Sequence, residues 1–331
     1  MKKIPLLMAL FCSLGVYCQD NVQNPGKPSF KVFWNYKSDF TKDIAKKSAF
    51  ELKRVYLGYS YKFDENISGK ITYDIGTNSG GSAYTAYVKI AALDWKLNSK
   101  IKLSLGLIGN KQFNDQKDLW GYRYVIKTFQ NEYKFGASAD LGINSEFVIS
   151  SNLKMNLFMF NGEGYKNLQD KDGNHRTGIS LLYALPKGFE AKFYYDSHPI
   201  TGTDPISNTS LFLGYKGADS RFGIEYSELN NARTYKSSET DHNRGGFSFY
   251  GSKKINSKYE LFARYDQISS NILQGESNSW NYNNDGSLVI LGTQYQAVKG
   301  VKLNLNYRLF KHDSSIINNK SILSLNAEFK I

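Results

Sequence analysis

The chain has 331 residues, of which 41% are hydrophobic and 15% aromatic, and its formal net charge is +12. Beyond the N-terminus no stretch approaches the roughly 18 to 20 consecutive apolar residues of a membrane helix, and two cysteines cannot form a disulfide framework. Many aromatic and polar residues beside a mean hydropathy of -0.47 indicate a protein whose hydrated surface lies partly inside it.

Residues 1–18 have the features of a secretory signal peptide. Two lysines precede an apolar run that is too short for a membrane helix. We expect cleavage after Cys18, which leaves a short lead over 19–27 and no cysteine in the mature chain. A lipoprotein would need a small residue before Cys18, and Tyr17 in that position disfavours this alternative.

The mature chain is basic. Loss of the two lysines lowers the formal charge from +12 to +10. This favours contact with anions in general. Because an exported chain seldom meets nucleic acid, we expect no nucleic-acid partner.

From residue 28 onward, segments in which apolar and polar residues alternate recur to the end of the chain. A period of two is typical of strands with one apolar and one hydrated face. LKMNLFM (153–159) and VKLNLNYRLF (301–310) are clear examples. Sixteen strands are predicted at 28–38, 49–63, 67–76, 83–97, 100–110, 134–144, 152–161, 176–185, 188–197, 208–216, 220–228, 244–254, 258–268, 286–296, 300–310 and 321–331.

The connections between these segments alternate between short and long. Short turns rich in Asn, Gly, Asp and Pro are predicted at 64–66, 98–100, 186–188, 216–219, 255–257 and 298–300. Longer polar loops are predicted at 40–47, 77–82, 111–133, 161–175, 197–208, 228–243, 269–286 and 311–319. This rhythm is typical of an up-and-down membrane β-barrel, with turns at one end and loops at the other.

The last segment, SILSLNAEFKI (321–331), alternates to its final residue. Since every backbone group in lipid needs a partner, a membrane sheet must close on itself. We therefore predict that 321–331 pairs with 28–38, and that 28–331 is an all-β transmembrane antiparallel up-and-down barrel of about 16 strands. A soluble β-sandwich or barrel is the alternative, but it leaves the export signal and the loop rhythm unexplained.

The two faces of the strands differ in character. Apolar alternates such as Leu57 and Leu305 are predicted to face lipid, where a charge costs about 2 to 4 kcal/mol near the midplane. The complementary positions carry both signs with cations in excess, among them Arg54, Lys102 and Arg308. About sixteen strands with such an inner face leave an aqueous channel.

The third long connection, KQFNDQKDLWGYRYVIKTFQNEY (111–133), is too apolar for a loop in water. Trp120, Tyr122 and Phe129 need a surface to pack on. We predict that the loop folds inward against the barrel wall and narrows the pore, with a short helix near 121–130. The alternative is an extracellular lid that packs on neighbouring loops.

Two stretches of the sequence resemble Gram-negative outer-membrane porins of the phosphate-selective porin O/P group. The opening strands of these porins are similar to FELKRVYLGYSYKFDENISGKITYDIG (50–76). Their third loop and sixth strand are similar to WGYRYVIKTFQNEYKFGASADLGI (120–143). The resemblance implies a sixteen-stranded porin, often trimeric, whose third loop folds inward. In phosphate-selective members an arginine ladder and a lysine cluster conduct anions. The matching cations here are Arg123 and Lys127 on the loop and Arg54, Lys102 and Arg308 on the wall. No dense arginine ladder is present, and acids share the inner wall.

The sequence offers little for catalysis or metal binding. His175, His198, His242 and His312 fall in or beside long loops without metal-ligand spacing, and exposed polar positions are expected for them. DKDGN (170–174) begins like a calcium loop, but Leu181 stands where the closing Glu would be. We expect no enzyme activity, cofactor or metal.

The expected function is passive diffusion of small hydrophilic solutes across the outer membrane, with a weak preference for anions. Expected partners are small hydrophilic or anionic solutes, the lipid bilayer, and copies of the chain in a homotrimer or other outer-membrane proteins. The alternative is a non-conducting barrel that serves as a subunit of a larger secretion, uptake or biogenesis assembly.

Overall fold

The computed structural model describes residues 26–43, 45, 47–76, 83–232 and 240–331. These residues form sixteen strands: β1 (Gly26–Asp39), β2 (Lys47–Lys62), β3 (Ile67–Gly76), β4 (Thr85–Lys96), β5 (Ile101–Gly109), β6 (Ala139–Val148), β7 (Leu153–Phe160), β8 (Arg176–Ala184), β9 (Phe189–Ile200), β10 (Thr203–Lys216), β11 (Ser220–Asn230), β12 (Arg244–Lys254), β13 (Tyr259–Ser270), β14 (Gly286–Val298), β15 (Val301–His312) and β16 (Lys320–Lys330). Two short helices, α1 (Asn114–Trp120) and α2 (Phe129–Glu132), lie between β5 and β6, and a 3₁₀ turn covers Pro186–Gly188. No helix in these described ranges is long and apolar enough to cross a membrane.

The sheet is a closed barrel in which each strand pairs antiparallel with its neighbours in sequence. Closure joins β1 to β16 through nine residue pairs, from Lys31 opposite Lys330 to Asp39 opposite Ile322. Neither terminal strand is therefore an edge, which confirms the predicted up-and-down barrel and its pairing of last strand with first.

The alternation of the sequence maps onto the two faces of the wall as predicted. The apolar alternates face outward: Leu57 is 45% exposed and Leu305 is 48% exposed. Their polar neighbours face inward; Asp74, Asn304 and Asn326, for example, are buried. The outer surface is thus an apolar band suited to lipid, and the inner surface is polar.

One predicted long loop is wrong. The segment SHPITGTDPISN (197–208) is mostly strand, because β9 runs to Ile200 and β10 starts at Thr203. Only Thr201 and Gly202 join them, with Gly202 at φ 78°. Pro205 lies where the pairing register shifts between Thr203 and Ile206, and such an irregularity tolerates proline within a sheet.

The N-terminal boundaries fall largely outside the described part of the chain. The predicted signal peptide over 1–18 lies there entirely, and so does the lead as far as residue 25. The first strand begins at Gly26, within the stretch predicted as lead. At the sixth strand, the observed start at Ala139 is later than the predicted 134, because residues 134–138 belong to the loop that enters the barrel.

A charge placed in the middle of the outer band should cost far more stability than one near its rim. Leu305 lies halfway along β15 and Leu309 lies closer to its loop end, and both face outward. We expect Leu305→Arg to lower the free energy of unfolding by about 2 to 4 kcal/mol and Leu309→Arg by about 0 to 1 kcal/mol. Urea titration of protein refolded into lipid vesicles measures both. Equal losses would mean that the apolar band does not span a bilayer at this depth.

Candidate pore constriction

The loop between β5 and β6, residues 110–138 and here called L3, enters the barrel. Helix α1 ends at Gly121, which has φ 70° and donates its N–H to the Lys117 carbonyl. An extended Thr128 precedes α2. The helix predicted near 121–130 is therefore wrong in position, since most of that stretch is the non-helical link between α1 and α2. Gly121 favours the end of α1 at this position over a continuous helix, because glycine readily adopts the left-handed conformation that terminates a helix.

Aromatic side chains of L3 pack on the inner wall. The Tyr122 ring stacks on Phe262 of β13 with centroids 4.1 Å apart. Trp120 makes edge contacts with Tyr250 of β12 at 5.3 Å and with Phe262 at 5.8 Å. All four side chains are buried. Aromatic pairs contribute about 0.5 to 1.5 kcal/mol each beyond area burial, so this cluster holds the loop inside. The inward fold is confirmed, and the external lid is wrong.

Wall cations hold the tip of L3 through its backbone. The Val125 carbonyl accepts hydrogen bonds from Lys53 Nζ of β2 at 2.7 Å and from Arg308 Nη2 of β15 at 2.9 Å. The hydroxyl of Tyr124 donates to Gln294 Oε1 of β14 at 2.9 Å. The tip is thus fixed to three strands on one arc of the wall, β14, β15 and β2, and charge-assisted bonds such as those of Lys53 and Arg308 are the stronger ones.

Carboxylates fix both helices of the loop. Glu225 of β11 accepts from the Phe129 N–H at 3.3 Å and from Gln130 Nε2 at 3.4 Å, at the start of α2. At α1, Asp115 accepts from Lys192 Nζ of β9 at 2.6 Å. Both wall residues are buried, so the loop supplies partners to charges that would otherwise lie unpaired in the interior.

A cavity of about 1130 Å³ lies at the long-loop side of L3. Three of its lining side chains are the carboxylates Glu51, Glu132 and Glu163. Twelve are cations: Lys37, Lys53, Arg54, Lys89, Arg123, Lys127, Lys134, Lys166, Arg176, Arg244, Arg308 and Lys320. Behind the lining, Asp74 is paired with Arg54 and Lys89, and Asp196 is paired with Arg176. Cations remain in excess after these two carboxylates are counted, and this excess favours anions in the cavity.

The structure brings four of the five predicted site residues together. Arg123, Lys127, Arg54 and Arg308 all line this cavity. Lys102 lies elsewhere on the wall, near the short-turn end of β5, where it pairs with Asp94 at 3.1 Å.

Pairing differs among the four. Arg54 is bound to Asp74 at 2.6 Å. Arg123, Lys127 and Arg308 form no ion pair with any carboxylate in the part of the chain that the structure describes. Burial lowers the pKa of Lys127, and the neighbouring Arg123 and Arg54 charges add to that lowering while Glu132 opposes it. No ion pair neutralises the charge of these three cations, so each attracts an anion in the cavity, although Arg308 also donates to the Val125 carbonyl.

Eight of the twelve lining cations were not predicted from the sequence, and two of these eight, Lys53 and Lys89, sit at irregularities of the sheet. The pairing of β1 with β2 skips Lys53, so Lys53 and its neighbour Arg54 both reach the lumen. The pairing of β3 with β4 likewise skips Lys89. Strict alternation would send one of two adjacent residues to lipid, and the adjacent Lys-Arg pair was the available signal for a bulge.

The expected exposed position is confirmed for His175 and is wrong for His198 and His312. His198 and His312 are buried at the loop-side ends of β9 and β15, because these strands run farther than predicted. Within the described ranges, no group of three or more His, Cys, Asp or Glu side chains is placed to hold a metal ion.

Comparison with known proteins identifies the fold. No protein-family model matches the sequence, and no curated protein matches it either. Among solved structures, the outer membrane channel DcaP of Acinetobacter baumannii superposes with a TM-score of 0.69 at 10% identity, covering 92% of this chain and 97% of that one. Salmonella typhi OmpF in complex with daunomycin gives 0.69 at 12% identity, covering 94% and 99%. The trimer form of OmpT, an outer membrane protein of Vibrio cholerae, gives 0.58 at 13% identity, covering 92% and 99%. At these identities the likeness establishes the fold, which is that of outer-membrane porins.

Proposed function

We propose that this protein is an outer-membrane porin through which small hydrophilic solutes diffuse passively, with a preference for anions. The closed barrel with its apolar outer band supports the outer membrane as its location. The observation that carries the anion preference is the lining of the cavity beside L3, where twelve cations face three carboxylates.

The mechanism is electrostatic. Cations on the wall and on L3 lower the free energy of an anion at the narrowest part of the pore. Conduction also requires that the anion can leave again. The unpaired cations Arg123, Lys127 and Arg308 are spread over the loop and the wall rather than gathered on one chelating element. Such an arrangement attracts anions without retaining them.

Single-channel recording in planar bilayers tests this proposal. We expect stepwise ohmic conductance and, under a KCl gradient, a reversal potential displaced toward the chloride equilibrium potential. A reversal potential of zero, or one displaced toward the potassium equilibrium potential, would overturn the anion preference without contradicting the channel function. Silence from folded protein, together with a partner that co-purifies with it, would favour the non-conducting subunit of a larger assembly.

The oligomeric state of the protein and the identity of the solute are two further proposals. The trimer form of one structural neighbour supports a homotrimer. The narrower resemblance to phosphate-selective porins stays a prediction, and so does the absence of enzyme activity. The inner wall carries acids such as Asp74 and Glu225 among its cations. This mixture of charges favours a general preference for anions over selectivity for phosphate.

A further inference from the structure

The loop between β7 and β8, residues 161–175 and here called L4, also turns toward the lumen. Within its first half, GEGYKN (162–167) lines the same cavity as L3. The sequence predicts only a polar external loop here. Two loops rather than one therefore shape the space through which a solute passes.

A glycine-dependent turn directs L4 inward. Gly162 has φ 116° and Gly164 has φ 81°, values that side-chain-bearing residues rarely adopt. A Cβ at position 164 would stand 2.7 Å from the Ala137 Cβ. The turn is fastened to the start of β6, since the Gly162 N–H donates to Asp140 Oδ2 at 3.0 Å and the Tyr165 N–H donates to the Ala139 carbonyl at 3.1 Å.

Tyr165 connects L4 to strand β3. Its hydroxyl donates to Asp74 Oδ2 at 2.6 Å, 91 positions away in sequence. The Asp74 carboxylate is fully buried and also accepts from Arg54 Nη1 at 2.6 Å and Lys89 Nζ at 3.4 Å. Burial raises the pKa of Tyr165 and the Asp74 charge raises it further, so the phenol stays protonated and donates.

Cations and tyrosine rings alternate around this anchor. Lys89 Nζ lies 5.1 Å from the centroids of both the Tyr56 and Tyr165 rings. Lys166 Nζ of L4 lies 4.9 Å from the Tyr87 ring of β4. Cation–π contacts of this kind hold the ammonium groups against the wall and leave their charge in the cavity.

We propose that residues 162–166 of L4 form a second constriction element of the pore and that Tyr165 is its positioning residue. The inference rests on the proposed porin function and adds to it: passage depends on the cross-section left by L3 and L4 together. The Tyr165 hydroxyl supplies the hydrogen bond that joins L4 to β3, and the wall contacts of L3 described above involve other residues. A change at Tyr165 should therefore loosen L4 while those L3 contacts stay in place.

Three variants test the proposal in planar bilayers and in liposome-swelling assays with neutral sugars of increasing size. Tyr165→Ala removes the hydroxyl bond and the ring contacts, and we expect its single-channel conductance to rise roughly twofold and its size limit to increase. Tyr165→Phe keeps the ring and loses only the bond to Asp74, so a smaller rise is expected. Leu168→Ala is the matched control, because Leu168 lies in the same loop and is 96% exposed.

The outcomes separate this inference from the proposed function. A wild-type protein that conducts, with both Tyr165 variants indistinguishable from Leu168→Ala, overturns the second constriction alone. A wild-type protein that is folded and silent overturns the porin function and this inference with it. Heat-modifiable migration on gels reports folding of each variant. If Tyr165→Ala does not fold, Tyr165→Phe decides, since a rise in conductance supports the proposal and an unchanged conductance rejects it.

Discussion

Replacing Arg123 and Lys127 together by Glu is expected to remove most of the anion preference of the channel. Both side chains line the cavity and neither has a carboxylate partner among the described residues. The double change would leave ten cations and five carboxylates around the cavity. Two unit charges 4 Å apart interact by about 4 kcal/mol at an effective dielectric constant of 20. Screening and solvent reduce this, and a shift of about 1.4 kcal/mol already changes the chloride-to-potassium permeability ratio about tenfold.

Lys102→Glu is the matched control for this experiment. It reverses a wall cation that lies outside the cavity and is already paired with Asp94. We expect its permeability ratio to stay near that of the wild type, measured from reversal potentials under the same KCl gradient. The difference in permeability ratio between the double variant and Lys102→Glu should become smaller as the salt concentration rises, because the Debye length shortens. If the double variant keeps the conductance and selectivity of the wild type, L3 does not control ion passage.

Arg123 and Lys127 suit this test because their charge can be changed without releasing L3. Lys53 and Arg308 also line the cavity, but both donate to the Val125 carbonyl and so hold the loop tip. Replacing either would change the field and the position of the loop together. Arg123 instead lies over the Phe33 ring at 5.9 Å, a contact with the side chain alone. A change at Arg123 or Lys127 therefore tests selectivity apart from loop position, whereas a change at Lys53 or Arg308 alters both.

The barrel was predictable from sequence because lipid and water impose opposite demands on neighbouring residues. In β15, Leu303, Leu305 and Tyr307 face outward while Asn304 and Asn306 are buried inside, and the same alternation is visible in the letters. The inward fold of L3 was predictable for a related reason. Trp120 and Tyr122 would be costly in water, and the barrel interior was the favoured of the two surfaces on which they could pack, the other being the neighbouring loops.

Other features depend on contacts that no local pattern reveals. Lys53 and Lys89 reach the lumen through bulges, and a bulge depends on the partner strand. The strand around Pro205 places Ile206 in one buried cluster with Phe129 and Phe135 of L3, residues far away in sequence. The inward turn of L4 brings Tyr165 to Asp74, a hydrogen-bonded pair 91 positions apart in sequence. Each was missed because tertiary contacts outweighed a local signal for loop or regular strand.

Removing β16 is expected to abolish the folded barrel altogether. The strand makes nine residue pairs with β1 and ten with β15. Deleting residues 320–331 would expose the backbone groups of both neighbours to hydrocarbon, where each unsatisfied group costs several kcal/mol. The truncated chain should therefore give neither heat-modifiable migration nor conductance after refolding into lipid vesicles. Deleting Ile331 alone is the control, since it lies beyond the strand, is 71% exposed, and its loss should leave the barrel folded.

Strand direction explains why the remaining fifteen strands cannot simply close the gap. In an antiparallel order β1 and β15 run the same way, so joining them would require a parallel pair with a different hydrogen-bond pattern and a new register on both strands. A synthetic peptide of residues 320–331 supplies the missing antiparallel partner and should restore the folded species, whereas a scrambled peptide should not. A truncated chain that folds and conducts without the peptide would show that closure by β16 is dispensable.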